Sequence, residues 1–97
     1  MYAVVRRTKV KPGSAEVLAR GVNEVGATIM NSMPGFVAYY VVYGEDDTVI
    51  VVDVFADKAT SEEANQRMVG AITEKLGALL AGPPEAIEGE VIAYKTG

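Results

Sequence analysis

Two apolar runs, residues 36–43 and 48–55, flank a short polar turn at residues 44–47. Valine, tyrosine and phenylalanine dominate both runs, and such β-branched and aromatic side chains suit the pleated surface of a sheet. The turn contains one glycine and three acidic residues, so it suits solvent and tolerates a residue at positive φ. The pattern therefore predicts a β-hairpin.

Both faces of this hairpin are apolar, which is unusual for an antiparallel sheet. A sheet with one face in water alternates apolar and polar residues along each strand. Here one face of the first strand carries Val37, Tyr39, Val41 and Tyr43, and the other carries Phe36, Ala38, Tyr40 and Val42. Helices of the same chain can cover only one face, so we expect a second subunit over the other.

The remaining elements follow from periodicity and from cap signals. Residues 2–10 read as a strand, and apolar positions at helical spacing follow Ser14, the expected N-cap, until Pro34 forces the helix to end near Ser32. A second helix is predicted from Thr60, which forms a capping box with Glu63, and Gly82 is expected to end it. Residues 87–94 read as the last strand.

The order βαββαβ predicts one α+β domain spanning residues 1–97. It closes most simply as a ferredoxin-like, four-stranded antiparallel sheet with both helices on one face, because right-handed crossovers place them on the same side. The bare face would then present a large apolar patch, which marks an interaction surface. We therefore expect a homodimer through the open face of the sheet.

Composition excludes several classes of function. The 97 residues include no cysteine and no histidine, which leaves neither thiolate chemistry nor a histidine-based metal site or general base. The net charge is −4 and basic residues form no large cluster, so nucleic acid is not an expected partner. No apolar run reaches the ~18 residues of a membrane helix, and we expect a cytoplasmic protein.

Short motifs add a family resemblance. Residues Val10 to Ser14 read Val-Lys-Pro-Gly-Ser, and residues Met33 to Phe36 read Met-Pro-Gly-Phe. With the order of elements, these motifs resemble the antibiotic biosynthesis monooxygenase family over nearly the whole chain. The resemblance implies a dimeric α/β barrel, in which two ferredoxin-like sheets pack together.

The sequence departs from that family at two places. Many relatives end the third strand with an acid, one residue and a tryptophan, whereas this chain reads Asp53-Val54-Phe55. Relatives often carry a histidine on the second helix, where this chain has Ala64 to Met68 without one. The haem-degrading branch needs its histidine, so the resemblance favours the branch that oxidises quinol-like or polycyclic aromatic compounds without metal, flavin or other cofactor.

Asp53 is the candidate catalytic residue. It stands among apolar neighbours in the third strand, and a buried carboxylate must be paired or have a raised pKa. It could pair with Arg6, Arg7 or Lys9 of the first strand, which is the commoner arrangement for a buried acid. Alternatively, it could accept a proton from a substrate or anchor it.

The candidate substrate-binding residues are Tyr39, Tyr40, Phe55, Asn65 and Arg67. The tyrosine hydroxyls could orient a phenolic ligand, and the polar groups of the second helix could bind a carbonyl or an oxyanion. Packing of the tyrosines in the core or dimer interface, and a solvated helix face for Asn65 and Arg67, are the alternatives. Four glycines, Gly21, Gly26, Gly70 and Gly77, indicate a pocket between helices and sheet, close helix–sheet packing, or a break in a helix.

These features predict a cofactor-independent monooxygenase-like protein that binds or oxidises a small aromatic or quinol-type compound. The substrate anion would itself supply electrons to oxygen, and the protein would deprotonate and hold the ring. A non-catalytic ligand-binding module and a purely structural dimer are the rival hypotheses, because fold does not determine function.

Overall fold

The computed structural model describes residues 1–44 and 46–97; Glu45, in the predicted hairpin turn, lies outside the described residues. The strands are β1 (Tyr2–Lys9), β2 (Phe36–Tyr43), β3 (Thr48–Phe55) and β4 (Glu85–Glu90). The helices are α1 (Ala15–Ser32) and α2 (Lys58–Leu76), and a short 3-10 turn, Gly77–Leu79, follows α2. This is the predicted βαββαβ order.

The four strands form one antiparallel sheet in the order β2-β3-β1-β4. Both helices pack on the same face of the sheet, called here the helix-side face, and the opposite face is called the open face. The core between helices and sheet contains Leu18 and Met30 of α1, Met68 of α2, and Val49 and Phe55 of β3. The ferredoxin-like α+β fold predicted from the sequence is confirmed.

The hairpin has the predicted strands, with one irregularity in β2. The pairing register shifts between Phe36 and Ala38, a bulge that changes the alternation at Val37. Phe36 therefore packs on the helix-side face, edge-on to Phe55 with ring centroids 5.7 Å apart, rather than sharing a face with Tyr40. Among the described residues of the turn, Asp47 has a positive φ, at 55°.

Helix α1 begins at the predicted place with Ser14 at the N-cap position, but the expected side-chain hydrogen bond is absent. Ser14 precedes the helix, yet it has helical backbone angles and its hydroxyl makes no capping hydrogen bond. A side-chain cap requires the extended backbone of a normal N-cap residue. The backbone carbonyl of Ser14 instead accepts the first helical hydrogen bond, from Leu18 at 2.9 Å.

Helix α2 starts earlier and ends earlier than predicted. Asp57 is the N-cap, and its carboxylate accepts a hydrogen bond from the Thr60 backbone N–H at 2.8 Å, so the proposed capping box from Thr60 is wrong. The α-helix ends at Leu76 rather than near Gly82 because the backbone tightens into the 3-10 turn. Leu80 then forms an isolated bridge with Val10.

The last strand also lies earlier than predicted, at Glu85–Glu90 rather than residues 87–94. Its register with β1 pairs Arg7 with Glu85 and Tyr2 with Glu90, so pairing ends where β1 begins. The apolar alternation after Glu90 indicated a strand, but a strand needs a neighbour for its hydrogen bonds. Tyr94 is exposed and lies outside the sheet.

Gly35 makes the turn between α1 and β2 with a φ of +81°, a conformation that other residues rarely adopt. A Cβ atom there would lie 3.3 Å from Cβ of Ala56. We expect Gly35→Val to lower the free energy of unfolding by about 1–3 kcal/mol, measured by urea denaturation.

Gly82→Val is the matched control, because a Cβ atom at Gly82 would meet nothing within 4 Å and its φ lies outside the positive region. Equal denaturation midpoints for the two variants would show that the turn does not depend on Gly35.

Candidate functional site

A cavity of about 530 Å³ lies between α2 and the β1–β4 side of the sheet. Strand β1 contributes the alternating residues Tyr2, Val4 and Arg6, which the pleat places on one face. Helix α2 contributes Ser61, Asn65 and Val69 at helical spacing. The carboxylates of Glu62 and Glu88 complete a pocket with a mixed apolar and polar lining.

Asn65 connects the pocket to the interior of the sheet. Its amide nitrogen donates to the Ser61 carbonyl at 2.8 Å, to the Ser61 hydroxyl at 3.2 Å and to Asp53 Oδ1 at 3.2 Å. Its carbonyl oxygen accepts a hydrogen bond from Nη1 of Arg6. The side chain is only 6% exposed. Because its polar atoms all have partners within the protein, Asn65 serves first to hold Arg6 and Asp53 in place.

Asp53 lies behind Asn65 rather than in the wall of the cavity. It is 1% exposed and stands in a row across the sheet between Tyr39 of β2 and Val4 of β1. Burial raises the pKa of Asp53, while the hydrogen bond from Asn65 and the charge of Arg6 act in the opposite direction. A raised pKa suits an acid–base group, but access to a bound substrate is blocked by the amide of Asn65.

The ion pair considered for Asp53 is not present among the described residues. Their ion pairs join other groups, and Arg6 reaches Asp53 through the Asn65 side chain instead of directly. Arg7 and Lys9 alternate with Arg6 along β1, so they lie on the open face. The carboxylate is therefore stabilised mainly by an amide hydrogen bond, which compensates burial less completely than a charged partner.

Tyr39 lies on the helix-side face, but outside the cavity next to Arg6. Its hydroxyl donates to the Val22 carbonyl at 3.1 Å. Burial, together with the negative charge of Asp53, raises the pKa of Tyr39 to about 12. The phenol therefore stays protonated at neutral pH and its hydrogen is already donated to α1, as expected for a packing role.

The other predicted binding residues lie away from the cavity. Tyr40 is 60% exposed on the open face, Phe55 is fully buried in the core, and Arg67 pairs with Glu63 at 2.8 Å on the exposed side of α2. Of the predicted set, the structure thus brings Asn65 to the pocket wall, with Asp53 directly behind it.

Three pocket residues, Arg6, Tyr2 and Glu88, were not predicted as a group from the sequence. The Tyr2 hydroxyl donates to Oε1 of Glu88 at 3.0 Å. Burial is the main cause that raises the pKa of Tyr2, and the acidic side chain of Glu88 raises it further. The signal available in the sequence was Arg6 itself. It shares a strand face with Tyr2 and Val4, and an arginine on an apolar face must find partners or line a cavity.

The four glycines differ in their surroundings, and Gly77 falls where α2 ends and the 3-10 turn begins. A Cβ atom at Gly21 would lie 2.9 Å from the Leu76 side chain, and one at Gly26 would lie 2.6 Å from the Tyr39 hydroxyl. These two permit close packing. Gly70 lines the cavity and has open space where its Cβ would be, so it widens the pocket.

Residues 1–44 and 46–97 contain neither a cluster of metal ligands nor a membrane-spanning helix. No group of three or more acidic residues is arranged to hold a metal ion. Neither helix is both long enough and apolar enough to span a membrane.

The fold and pocket place the chain among ferredoxin-like α+β proteins with a cavity between helices and sheet. Residues 1–68 match the model of the antibiotic biosynthesis monooxygenase family, so the chain belongs to that family. The resemblance carried by its Pro-Gly motifs is thereby confirmed. A search of curated proteins found no match.

Solved structures show the same fold over nearly the whole chain. A protein of unknown function from Nitrosomonas europaea is 27% identical, with a TM-score of 0.81 over 99% of this chain and 93% of that chain. A variant of SnoaB, a cofactor-independent oxygenase from Streptomyces nogalater, is 21% identical, with a TM-score of 0.72 over 96% and 94% of the two chains. At this identity, the likeness to SnoaB shows the fold alone.

The raised pKa of Asp53 predicts a pH dependence of stability. The folded chain holds this proton more tightly than the unfolded chain, whose pKa is near 3.8. Stability contributed by the protonated form is therefore lost as pH rises from that value through the raised folded pKa. Relative to Asp53→Asn, we expect the wild type to become less stable across this window and then to level off, as measured by urea denaturation at a series of pH values.

Asp57→Asn provides a control with the opposite sign. The hydrogen bonds with Thr60 lower the pKa of Asp57, so its contribution to stability is present at higher pH and is lost on acidification through the lowered folded pKa. Parallel stability curves for wild type and Asp53→Asn would contradict the assignment for Asp53.

Proposed function

We propose that the cavity binds a phenol- or quinol-type aromatic compound and that the chain is a cofactor-independent oxygenase. The observation that carries this proposal is Arg6, whose side chain lines a cavity large enough for an aromatic compound. In the described part of the chain, Arg6 donates one side-chain hydrogen bond, to Asn65. A guanidinium has five N–H donors, so others are available to a bound oxyanion.

The positive charge matters because the reaction begins with a phenolate. A phenol loses its proton, and the resulting anion donates one electron to dioxygen, leaving a ring radical and superoxide. These combine at a ring carbon to form a peroxide anion, which takes back the proton lost by the phenol. The resulting hydroperoxide loses water to leave a quinone. One oxygen atom enters the product and the other leaves as water, so the substrate supplies all four electrons.

Arg6 would favour the phenolate over the phenol, because a fixed cation beside the oxygen stabilises developing negative charge. The proton could pass to either carboxylate that lines the cavity, Glu62 or Glu88. For Asp53 we propose a positioning role through Asn65, since a general base must reach within hydrogen-bonding distance of the proton that it takes. The apolar residues Val4 and Val69 would contact the ring.

Membership of the antibiotic biosynthesis monooxygenase family supports this proposal. The cofactor-independent activity of SnoaB is consistent with it, at the level of a shared fold. The principal alternative is a non-catalytic binding module, in which the same pocket holds an aromatic anion without turnover.

The proposal predicts that metal-stripped protein accelerates oxygen uptake by dihydroxyaromatic compounds above the rate of protein-free autoxidation. Arg6→Met should lower kcat/KM by about 10²-fold, the usual effect of losing one preorganised donor to an oxyanion. An oxygen electrode measures the rate, and product spectra identify the quinone.

Arg20→Met is the matched control, since Arg20 is an exposed arginine that pairs with Glu16 on α1, away from the cavity. Binding without turnover would favour the non-catalytic module. Neither binding nor turnover across a broad panel would overturn the proposal.

We also propose that two chains pair through the open face. A row of side chains crosses all four strands there: Tyr40 of β2, Val52 of β3, Val5 of β1 and Ile87 of β4. Tyr40 is 60% exposed and Ile87 is 78% exposed. Large apolar side chains grouped on one face are typical of a protein interface.

This pairing predicts about twice the chain mass in sedimentation experiments at micromolar concentration. Val42→Asp, on the open face, should shift the population to monomer, because burying an unpaired carboxylate costs several kcal/mol. Val17→Asp is the control: Val17 is similarly exposed, at 60% against 51% for Val42, but lies on α1. A wild-type chain that sediments as a monomer would exclude the dimer.

A further inference from the structure

A small cavity of about 80 Å³, called here the inner cavity, lies between the two helices and the centre of the sheet. Its apolar walls come from both helices, β3 and the segment after α2, and include Leu18, Val22, Val49, Val51, Ile72 and Leu80. Leu18, Val22 and Val49 are almost completely buried, so this wall of the cavity belongs to the protein core.

The size of this inner cavity limits what it can hold. Its volume is roughly half of the ~150 Å³ at which an apolar cavity accommodates benzene. An aromatic substrate therefore does not fit, whereas a diatomic gas molecule does. Polar side chains in the lining belong to Arg6, Thr8 and Thr73, and the buried aliphatic wall offers water no hydrogen bonds.

The inner cavity adjoins the larger pocket. Arg6 and Val69 line both, so these two side chains form a shared wall. A small molecule in the inner cavity is therefore separated from a compound in the pocket by the side chains of Arg6 and Val69. Val69 is 40% exposed, and exposed side chains change rotamer far faster than a typical enzyme turns over. Movement of Val69 would therefore open a passage while Asn65 holds Arg6 in place.

We propose that the inner cavity binds dioxygen and supplies it to the pocket through the wall formed by Arg6 and Val69. Dioxygen is uncharged and accepts only weak hydrogen bonds, so it partitions from water into spaces lined by apolar side chains. The supply role rests on the oxygenase function proposed above. Binding of the gas is independent of that function, because it depends on the size and lining of the cavity alone.

Gas binding can be tested on the protein alone. Dissolved dioxygen is paramagnetic and speeds the relaxation of nearby methyl protons. We expect greater enhancement for the methyl groups of Leu18, Val22 and Val49 than for the exposed methyl groups of Val17 and Ile92 when nitrogen is replaced by oxygen. Xenon, a diamagnetic gas with the same preference for dry cavities, should cause saturable shifts at the same buried methyl groups.

Filling the cavity tests its role. The double variant Val49→Ile with Val51→Ile adds two methylene groups to the lining, and Val17→Ile is the matched change on an exposed surface. We expect the double variant to lose the xenon shifts. In turnover, its KM for oxygen should rise about threefold or more while the KM for the aromatic compound stays unchanged. Urea denaturation checks that the variant remains folded.

The outcomes separate this inference from the proposed function. Buried methyl groups no more affected by oxygen and xenon than exposed ones would overturn the binding site, whatever the enzyme does. If the wild type binds the gas but the double variant keeps the wild-type KM for oxygen, the supply role is overturned. If no aromatic compound is turned over, the supply role fails with the oxygenase proposal, and the relaxation experiment alone decides whether the cavity binds the gas.

Discussion

The hydrogen bond between Asn65 and Asp53 is the interaction on which the site depends. A carboxylate buried in an apolar sheet costs several kcal/mol unless it is protonated or has hydrogen-bond partners. Asn65 supplies a partner from α2, and its remaining polar atoms contact Ser61 and Arg6. The same contacts connect α2 to the sheet. They also hold Arg6, the only arginine among the described residues that lines the pocket.

The two faces of the sheet differ in chemistry although both are largely apolar. On the helix-side face, one row runs from Tyr39 through Asp53 and Val4 to Glu88, so polar groups are embedded in the packed layer. The open face carries Tyr40, Val52, Val5 and Ile87 in a neighbouring row with no buried carboxylate. Burial against helices therefore creates the electrostatics of the site, while the open face has the character of an interface.

Few side chains in the pocket could take part in a reaction, so the range of reactions that the pocket could support is narrow. Arg6 can hold an anion, two carboxylates can take a proton, and the chain has neither histidine nor cysteine. In the proposed reaction, these groups would control the ionisation of an electron-rich aromatic compound. Arg6 and Val69, which line both cavities, would separate the proposed site for the ring from the smaller apolar site.

Local pattern by itself determined the strands of the hairpin, the existence of both helices and the order of the fold, because alternation and helical spacing depend on neighbouring residues. It failed where a choice depended on distant partners. Asp57 and Thr60 both suit an N-cap, and the folded structure uses Asp57. The residues after Glu90 suit a strand, but β1 pairs with β4 only as far as Glu90. Alternation likewise put Tyr39 and Tyr40 on opposite faces without showing which face the helices cover. Only the tertiary structure brought Arg6, Asn65 and Asp53 together, since they come from three elements and are joined by contacts that no sequence spacing reveals.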